Sequence, residues 1–450
     1  MRDIIEKLRS ATLATAYEGR LYLVGGIVRD RLMGLPTDED IDIVLEGDAA
    51  ELAGFLYASG LSQNPPTIYS RFGTAMLAVD GARVELVGAR KESYDPSSRK
   101  PATKPGSLLD DVLRRDFTIN TLLENLHSGE ILDLTGKAHN DITDKIIRTP
   151  LDPMITFDDD PLRMLRAIRF ATRFGFAINK QTYVAIRERA HRLSIISAER
   201  MRGEFEKILM TQNAVDGMEM LRKTGLMSIF APEIAALYGV EQNIHHRCDV
   251  WNHTLAALES IPVECGLMLR LTALLHDVGK VATKSVDEAG GVHFYGHEKV
   301  GAELAERFLK RLTFSNQLAE EVAFLISMHL RVGSYSQEWT DTAMRRLIRD
   351  AGEHLNDLIL LAEADGAAAK NDPKGGDLSK FREHLAQVRL ELHGKEIKSP
   401  LDGREIMEVL GLDPGPKVGE AQGFLEEQVV KGRLRAGDKA GARKLLLEPD

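Results

Sequence analysis

The sequence predicts an α+β fold in which a mixed α/β region comes first and an all-α region follows. Short apolar runs with helical stretches between them fill the first 140 residues, and they lie at residues 21–26, 41–46, 74–80, 83–89 and 130–136. From about residue 141 the strand pattern ends, and helical periodicity punctuated by glycine and proline continues to the last residue. Residues 91–108, KESYDPSSRKPATKPGSL, predict a mobile loop, and residues 369–380 predict a linker.

Composition narrows the class of protein. The 450 residues suffice for roughly three domains. A net charge of −10 argues against a chain that coats nucleic acid nonspecifically, but the basic segments 90–115, 163–173 and 431–444 are either local phosphate contacts or solvated faces. No apolar stretch approaches the ~20 residues of a membrane span, and the first turns are charged, so we expect a cytoplasmic protein without a signal peptide. Cys248 and Cys265 give neither a disulfide framework nor zinc spacing.

The first predicted strand ends in Gly25-Gly26, and the helix that follows carries Arg29 near its start. A backbone without a Cβ atom can approach a phosphate closely, and a helix N-terminus adds partial positive charge. By itself a Gly-Gly pair more often marks an ordinary turn. Followed by Arg29 and a carboxylate pair, it indicates a phosphate-binding turn.

That carboxylate pair is Asp40 and Asp42, which lie two residues apart in an apolar strand and so point to one face. Carboxylates that converge repel each other unless a cation joins them, and Mg²⁺ prefers such oxygen ligands. Glu85, in the middle of a later strand, is a candidate third carboxylate. Carboxylates on a solvated strand edge are the alternative. With the glycine turn, the pair favours a phosphoryl or nucleotidyl transfer site.

Two further strings carry candidate nucleotide contacts. RRDFTIN, residues 114–120, offers an arginine pair for phosphate and Asp116, which either accepts a ribose hydroxyl or caps a helix. In DDDPLR, residues 158–163, Asp160 is the predicted N-cap and Pro161 the first helical residue. Asp160 and Arg163 provide an acceptor and a donor with which to read a base edge; the alternative is a capped helix with an ion pair.

Together these strings resemble class II tRNA nucleotidyltransferases, the group of CCA-adding enzymes and bacterial poly(A) polymerases within the polymerase β superfamily. GGIVRD with DIDIV is similar to that family's first motif, RRDFTIN to its second, DDDPLR to its nucleotide-reading motif, and ERMRGEFEKIL (residues 199–209) to a later helical motif. The resemblance runs through at least residues 20–240. It implies a polymerase β-like head at residues 1–140 and an all-α neck and body at residues 141–240.

The resemblance also implies an activity, namely addition of CCA to the tRNA 3′ end from CTP and ATP without a template. It implies that Asp40 and Asp42 bind Mg²⁺ with support from Glu85, and that the nucleotide contacts are made by Gly25, Gly26, Arg29, Arg115, Asp116, Asp160, Arg163 and Arg166. Asp159 stands where the family has a glutamate. This chain keeps the segment at residues 91–108, whereas family members that add only C do not have it in intact form. The resemblance therefore favours CCA addition, with A-addition and poly(A) synthesis as the alternatives.

A second series of candidate ligands lies further along the chain. It consists of His253, His276, Asp277, His297, His329 and Asp365. Histidine and carboxylate together suit a divalent metal, although a lone histidine on an apolar helix is usually just packed. The series resembles the HD phosphohydrolase superfamily. That resemblance implies a metal of unknown identity on His253, His276, Asp277 and Asp365, with His297 and His329 serving a second metal or the substrate phosphate.

The resemblance places this HD domain at residues 241–370 and implies hydrolysis of a phosphomonoester or a 2′,3′-cyclic phosphodiester. Stringent-response synthetase/hydrolases join the same two domains, but with the HD domain first, so we reject that class. Residues 371–450 form a predicted helical tail, in which a turn around Pro414-Gly415-Pro416 either contacts tRNA or packs on the body.

Overall fold

The computed structural model describes residues 2–37, 40–70, 73–95, 98–242, 249–369, 378–393 and 395–447, and their side chains except at residues 92–102. The chain divides into two compact units, Met1–Pro232 and Glu233–Asp450. Cys248 and most of the predicted linker at residues 369–380 lie outside the described residues.

The first unit contains the main sheet. Its strands are β1 (Leu21–Val24), β2 (Ile41–Leu45), β3 (Thr67–Tyr69), β4 (Thr74–Val79), β5 (Ala82–Gly88), β6 (Arg90–Asp95), β7 (Ser98–Pro105), β8 (Leu123–Asn125), β9 (Ile131–Leu132), β10 (Ile146–Ile147) and β11 (Ala177–Ile178). Seven of them form a sheet in the order β3-β4-β5-β2-β1-β8-β9. Within it β2 and β5 are parallel and the other neighbours antiparallel. All five strands predicted from apolar runs are present.

The helices of this unit are α1 (Arg2–Thr12), α2 (Gly26–Leu32), α3 (Ala49–Ala58), α4 (Leu108–Leu113), α5 (Ala138–Thr143), α6 (Pro153–Asp159), α7 (Leu162–Phe174), α8 (Lys180–Arg189), α9 (Ala198–Leu209), α10 (Ala214–Lys223) and α11 (Met227–Phe230). Apolar side chains of α1 and α3 pack with the sheet in one buried cluster. Val112 of α4 packs with strand residues Val24 and Val44 in a second cluster. Because β2 contributes to both, it is a central strand, buried on two faces.

The prediction of a mobile loop at residues 91–108 is wrong. Strands β6 and β7 pair antiparallel as a separate two-stranded ribbon, from Arg90 opposite Pro105 to Asp95 opposite Ser98. The proline content that indicated a loop is compatible with this ribbon. A proline removes one backbone donor, and each strand of a two-stranded ribbon has a side that needs none.

The all-α prediction after residue 141 needs correction at short pairs of strands. Strands β10 and β11 pair in parallel, and two more strands pair in the second unit. Two-residue strands carry too little alternation to be seen in a sequence. Pro161 is the N-cap of α7 and Asp160 the C-cap of α6, one residue from the predicted cap, although Asp160 Oδ1 still accepts from the Leu162 amide at 3.1 Å. A 3₁₀ helix, Thr118–Asn120, follows Asp116.

The second unit is mainly helical. Its helices are α12 (Pro232–Ala235, beginning at the boundary), α13 (Val250–Glu259), α14 (Gly266–Leu275), α15 (Lys280–Thr283), α16 (His297–Arg311), α17 (Asn316–Gly333), α18 (Asp341–Ala351), α19 (Leu355–Ala368), α20 (Ser379–Glu391), α21 (Gly403–Leu410), α22 (Pro416–Val430) and α23 (Lys439–Leu447). Its strands are β12 (Ser285–Val286) and β13 (Val292–His293). Helices α17 to α23 share one apolar core. Among the described residues no helix is long and apolar enough to cross a membrane.

Candidate functional site

The glycine turn lies at the end of β1, beside a carboxylate and an arginine. Gly25 has φ 79°, a left-handed conformation that glycine adopts without strain. A Cβ atom there would lie 3.6 Å from Asp42 Oδ2 and 3.7 Å from Arg115 Nη1. Gly26 is the first residue of α2. The turn therefore brings backbone, Asp42 and Arg115 to one point, although they are up to 90 residues apart in sequence.

Asp42 and Glu85 are direct neighbours, because they are paired residues on the parallel strands β2 and β5. Asp40 immediately precedes β2 and is exposed. Burial and the like charge of Glu85 raise the pKa of Asp42 to about 6; Arg115 opposes this shift and Asp40 adds to it. A group of carboxylates that destabilise each other's charge fits a divalent cation with oxygen ligands. Among the groups of described residues whose ligand atoms all lie within 4.8 Å of one another, Asp40, Asp42 and Glu85 do not form one.

A cavity of about 600 Å³ lies against this turn, within the size range of small-molecule sites. Its lining is strongly basic and consists of Gly25, Gly26, Arg29, Asp42, Arg115, Asp116, Asn120, Arg166, Arg169, Phe170, Arg173, Lys207, Met210 and Thr211. Six cations against two carboxylates suit a polyanionic ligand such as a triphosphate.

Several of these lining residues were missed by the sequence reasoning. Asn120 lies inside RRDFTIN and Lys207 inside ERMRGEFEKIL. Both motifs were identified from the sequence, but these two residues were not singled out within them. Arg169 and Arg173 were identified only as members of a basic segment. They lie three and seven residues after Arg166, which places all three arginines along one side of α7.

Asp116 lies at the centre of a buried polar network on the cavity wall. Its Oδ2 accepts from Arg166 Nη2 at 2.5 Å and Nε at 2.8 Å, and its Oδ1 accepts from Asn120 Nδ2 at 2.9 Å and from the Phe117 amide at 2.8 Å. Although burial works against the charge, Arg166 and Asn120 hold the pKa of Asp116 well below its usual value. Four accepted bonds occupy about all the acceptor sites of a carboxylate, so a ribose hydroxyl would compete with them.

Arg29 joins the same network from α2. Its Nη1 donates to Asn120 Oδ1 at 2.5 Å and its Nε to Asp30 Oδ1 at 2.7 Å. The guanidinium also lies 4.7 Å from the ring centroid of Phe174 and 5.3 Å from that of Phe170. Arg29 is only 3% exposed, so its orientation is fixed by these contacts before any ligand binds.

Asp160 and Arg163 are not among the residues that line this cavity. Asp160 Oδ2 forms an ion pair with Arg200 Nη2 at 2.8 Å. Arg163 Nη2 donates to the Arg114 carbonyl at 2.6 Å, and its Nη1 to the Thr156 carbonyl at 3.4 Å. The structure therefore brings the two residues to the α6–α7 junction but joins them to protein groups. The partner Arg200 lies in the motif ERMRGEFEKIL and was not singled out from sequence.

The predicted histidine and aspartate series converges in the second unit. His253 Nε2 lies 2.8 Å from Asp365 Oδ1 and 3.5 Å from Asp277 Oδ2, and His276 Nε2 lies 3.3 Å from Asp277 Oδ2. His297 Nε2 lies 3.5 Å from Asp277 Oδ1. Two sets of three residues have ligand atoms that all lie within 4.8 Å of one another. One set is His253, His276 and Asp277, and the other is Asp277, His297 and His329. Asp277 is common to both sets, as a ligand that bridges two ions would be.

The orientation of the histidine rings fits metal binding. Nδ1 of His276 lies 2.8 Å from the Ala273 carbonyl, that of His297 2.8 Å from the Phe294 carbonyl, and that of His329 2.6 Å from the Ile326 carbonyl. Donation from Nδ1 to a backbone carbonyl leaves Nε2 as the lone-pair atom, which is how metal-binding histidines are oriented. Among the described residues, His276 Nε2 and Asp277 Oδ1 are buried without a hydrogen-bond partner. A divalent metal bound by imidazole and carboxylate would satisfy both atoms.

The carboxylates and imidazoles of this cluster shift one another's pKa. Burial favours the neutral ring of His276, but Asp277 and Asp365 outweigh it and raise the pKa of His276 to about 9. Burial and the neighbouring His276 lower the pKa of His329 to about 4. Lys280 Nζ adds a further contact, 2.7 Å from Asp277 Oδ2. The cluster is therefore a set of carboxylates surrounded by cationic and polarisable groups.

Three family profiles match successive parts of the chain. The family profile described as "Poly A polymerase head domain" matches residues 21–148, the one described as "Probable RNA and SrmB- binding site of polymerase A" matches residues 175–238, and "HD domain" matches residues 243–369. The sequence is similar to a CC-adding tRNA nucleotidyltransferase of Thermus thermophilus, 32% identical over 95% of this chain and 93% of that protein.

Two further relatives carry different names. The chain is 34% identical to an A-adding tRNA nucleotidyltransferase of Deinococcus radiodurans over 75% of this chain and 79% of that protein. It is 33% identical to a multifunctional CCA protein of Haemophilus influenzae over 70% of this chain and 75% of that protein.

Solved structures match the fold over almost the whole chain. The Bacillus stearothermophilus CCA-adding enzyme in complex with CTP is similar with a TM-score of 0.68 and 24% identity, covering 99% of this chain and 95% of that one. The Thermotoga maritima CCA-adding enzyme complexed with tRNA is similar with a TM-score of 0.62 and 21% identity, covering 99% and 94%.

Proposed function

Because the chain belongs to the tRNA nucleotidyltransferase family with a C-terminal HD domain, we propose that it adds C, C and A in turn to the 3′ end of tRNA. Its substrates are CTP and ATP, it uses no nucleic-acid template, and it works in the cytoplasm. The observation that carries this proposal is the convergence of Gly25, Asp42 and Arg115 beside a basic cavity, in a chain of this family.

Magnesium would be held by Asp40 and Asp42, with Glu85 as the adjacent carboxylate on β5. When bound, it neutralises charge that develops on the phosphates during nucleotidyl transfer and lowers the pKa of the attacking hydroxyl. The chain's own groups then bind and orient the nucleotide. Arg115 and the Gly25 turn lie at the carboxylates, and Arg166, Arg169 and Lys207 extend the positive lining along the cavity.

Base selection is assigned to Asp160 and Arg163. Their donor and acceptor atoms are of the kind that read a base edge, and a site built on such groups discriminates strongly, because a wrong base leaves them unpaired. In this proposal Asp160 exchanges its ion pair with Arg200 for a hydrogen bond to the base, and Arg163 exchanges its hydrogen bond to the Arg114 carbonyl in the same way.

The ribbon of β6 and β7 supports addition of CCA over addition of C alone. Among class II tRNA nucleotidyltransferases, the enzymes that add only C lack an intact segment corresponding to residues 91–108, and this chain keeps that segment. The A-adding relative favours a second candidate, in which the same site adds only the terminal A.

Three tRNA substrates distinguish the candidates. They end before the first C, after one C and after both, and each is incubated with CTP or ATP separately. The proposal requires CTP incorporation on the first two and ATP incorporation on the third. ATP incorporation on the third alone would establish the A-adding alternative, and CTP incorporation without ATP incorporation would establish a CC-adding enzyme.

For the HD domain we assign metal-dependent hydrolysis of a phosphomonoester or a 2′,3′-cyclic phosphodiester. Water supplies the oxygen that forms the new P–O bond, the P–O bond to the ribose breaks, and the ribose oxygen leaves with the proton from water. His253, His276, Asp277 and Asp365 would hold the metal, and His297 and His329 a second metal or the phosphate. Release of phosphate from adenosine 2′-monophosphate, absent after chelation and restored by added metal, tests this assignment.

A further inference from the structure

A cavity of about 330 Å³ opens directly beside the histidine and aspartate cluster. Its lining includes Lys280, His293, Phe294, Tyr295, His297 and Leu330. Since His297 belongs both to this lining and to one of the two ligand sets, a molecule in the cavity reaches the cluster. The volume lies at the lower end of the ~300–1,000 Å³ typical of small-molecule sites.

The outer wall of this cavity is an aromatic pair exposed to solvent. Tyr295 is 77% exposed, yet its ring stacks on that of His293, with centroids 5.2 Å apart and planes 10° from parallel. Tyrosine is enriched at binding interfaces, where its ring packs against apolar or aromatic groups and its hydroxyl stays in contact with water. The other face of Tyr295 is available for a third ring to stack in the same direction.

The pair is fixed in place by the β12–β13 hairpin. His293 ends β13, and its Nε2 lies 2.7 Å from Asp287 Oδ2 in the connecting turn. Asp287 Oδ1 accepts from the amides of Ala289 and Gly291 at 3.0 and 2.7 Å. Because a turn carboxylate holds the ring, the stacking surface is formed before any ligand binds, which lowers the entropic cost of binding.

The inner wall carries a buried cation. Lys280 is 9% exposed, and its Nζ contacts Asp277 Oδ2 at 2.7 Å and Gln242 Oε1 at 2.9 Å. An ammonium group has three N–H donors, one more than these two acceptors among the described residues. A phosphate oxygen at this point would contact the ammonium group of Lys280 and lie beside the histidine and aspartate cluster.

From these two walls we infer that the cavity is a nucleoside-binding subsite of the HD domain, in which Tyr295 and His293 stack on the base and Lys280 binds the phosphate. The inference rests on the proposed hydrolase function and extends it to base recognition. A phosphate ester without a ring would leave the exposed aromatic pair unused. Stacking of a base on an aromatic side chain strengthens binding by about tenfold or more.

The test is a calorimetric titration of the full-length protein, both stripped of metal and metal-loaded, with adenosine 2′,3′-cyclic phosphate and with inorganic phosphate. The cyclic nucleotide should bind at least about tenfold more tightly than inorganic phosphate. Tyr295→Ala should lose that difference and leave the affinity for inorganic phosphate unchanged, whereas Tyr295→Phe should stay within about threefold of wild type. Tyr238→Ala, at a 54% exposed tyrosine elsewhere in the unit, is the matched control.

Steady-state kinetics of the metal-loaded protein and binding of an oligoribonucleotide give two further measurements. With metal-loaded protein, Tyr295→Ala should raise KM for the nucleotide with kcat retained, and leave both values for glycerol 2-phosphate unchanged. An oligoribonucleotide with a 2′,3′-cyclic phosphate end that binds at least as tightly as the free nucleotide identifies RNA ends as the ligand; tenfold weaker binding identifies free nucleotides. Nucleotide affinity unchanged in both Tyr295→Ala and His293→Ala would overturn the subsite. Tyrosine-dependent binding without any hydrolysis would overturn only the hydrolase function.

Discussion

The two candidate metal sites of this chain differ in how completely the protein surrounds the ion. In the second unit, two sets of three ligands share Asp277 and each lies within 4.8 Å, and backbone carbonyls fix the rings of His276, His297 and His329. In the first unit, Asp40 is exposed and Asp42 faces a cavity of about 600 Å³. Magnesium in transfer enzymes commonly keeps few protein ligands and is completed by substrate phosphates, whereas a catalytic metal bound by histidines takes most of its ligands from the protein and keeps one position for water or substrate.

This difference also explains where the cations are. The transferase cavity is lined by six cations, because its ligand brings the negative charge. In the histidine and aspartate cluster of the second unit, the buried Lys280 donates to Asp277, and the negative charge comes from Asp277 and Asp365. The first site is therefore incomplete without substrate, and the second is preformed.

The largest effect is expected at the open site. Asp42→Ala removes the carboxylate that lies beside the glycine turn and is paired in register with Glu85, and should lower nucleotide addition by about a thousandfold or more, because a lost metal ligand costs several kcal/mol of transition-state stabilisation. Single-turnover incorporation of labelled CTP into tRNA measures it. Asp144→Ala, an exposed carboxylate in the same unit, should retain the wild-type rate. Transfer near that rate in a folded Asp42→Ala protein would refute the assignment.

At the preformed site, Asp277→Asn should abolish stoichiometric metal binding, since Asp277 is common to both ligand sets. Nucleotide addition should stay within about twofold of wild type, because the two sites lie in different compact units. Metal content by mass spectrometry and CTP incorporation are measured on the same preparation. His354→Ala, a partly exposed histidine elsewhere in the unit, is the control and should keep its metal. Loss of CTP incorporation in a folded Asp277→Asn protein would show that the sites are not independent.

The buried network on the cavity wall should matter for stability as well as for activity. Asp116→Ala leaves Arg166 and Asn120 without their shared acceptor and should destabilise the first unit by about 3 kcal/mol, as removal of one partner from a buried ion pair does. Asp158→Ala, which removes a carboxylate that is 39% exposed in its pairs with Arg189 and Arg192, should cost about 1 kcal/mol or less. Denaturant midpoints at pH 7 compare the two. Equal midpoints would mean that the Asp116 network contributes no stability of its own.

The smallest effect is expected in base choice. Arg163→Ala should raise misincorporation of UTP and GTP by about tenfold while the metal site stays intact, because a donor that rejects the wrong base is lost. The assay follows incorporation of each of the four nucleotides into tRNA, with Arg187→Ala on the exposed face of α8 as the control. Unchanged selectivity with weaker overall binding would mean that Arg163 only holds the Arg114 carbonyl, as it does in the folded chain.

Much of the site was predictable because its residues occur in short strings. Spacing alone predicted Asp40 and Asp42 on one strand and Gly25 at the end of the strand before it; Gly25 directly follows β1 and Asp42 lies on β2, but Asp40 lies one residue before that strand begins. The histidine and aspartate series was also visible, since His253, His329 and Asp365 interrupt apolar helices and His276-Asp277 directly follows one. The β6–β7 ribbon was not predicted, because proline and lysine content indicates a loop wherever the pairing partner is unknown.

The sequence therefore predicted the identity of the groups: a carboxylate pair after a glycine turn, arginines along α7, and a histidine and aspartate series. It did not predict which of those groups already have hydrogen-bond partners in the folded chain. Asp116 is saturated by Arg166 and Asn120, and Asp160 is paired with Arg200, 40 residues away. The physical reason is that local spacing fixes the face on which a side chain lies, whereas hydrogen-bond partners distant in the chain are fixed only by packing.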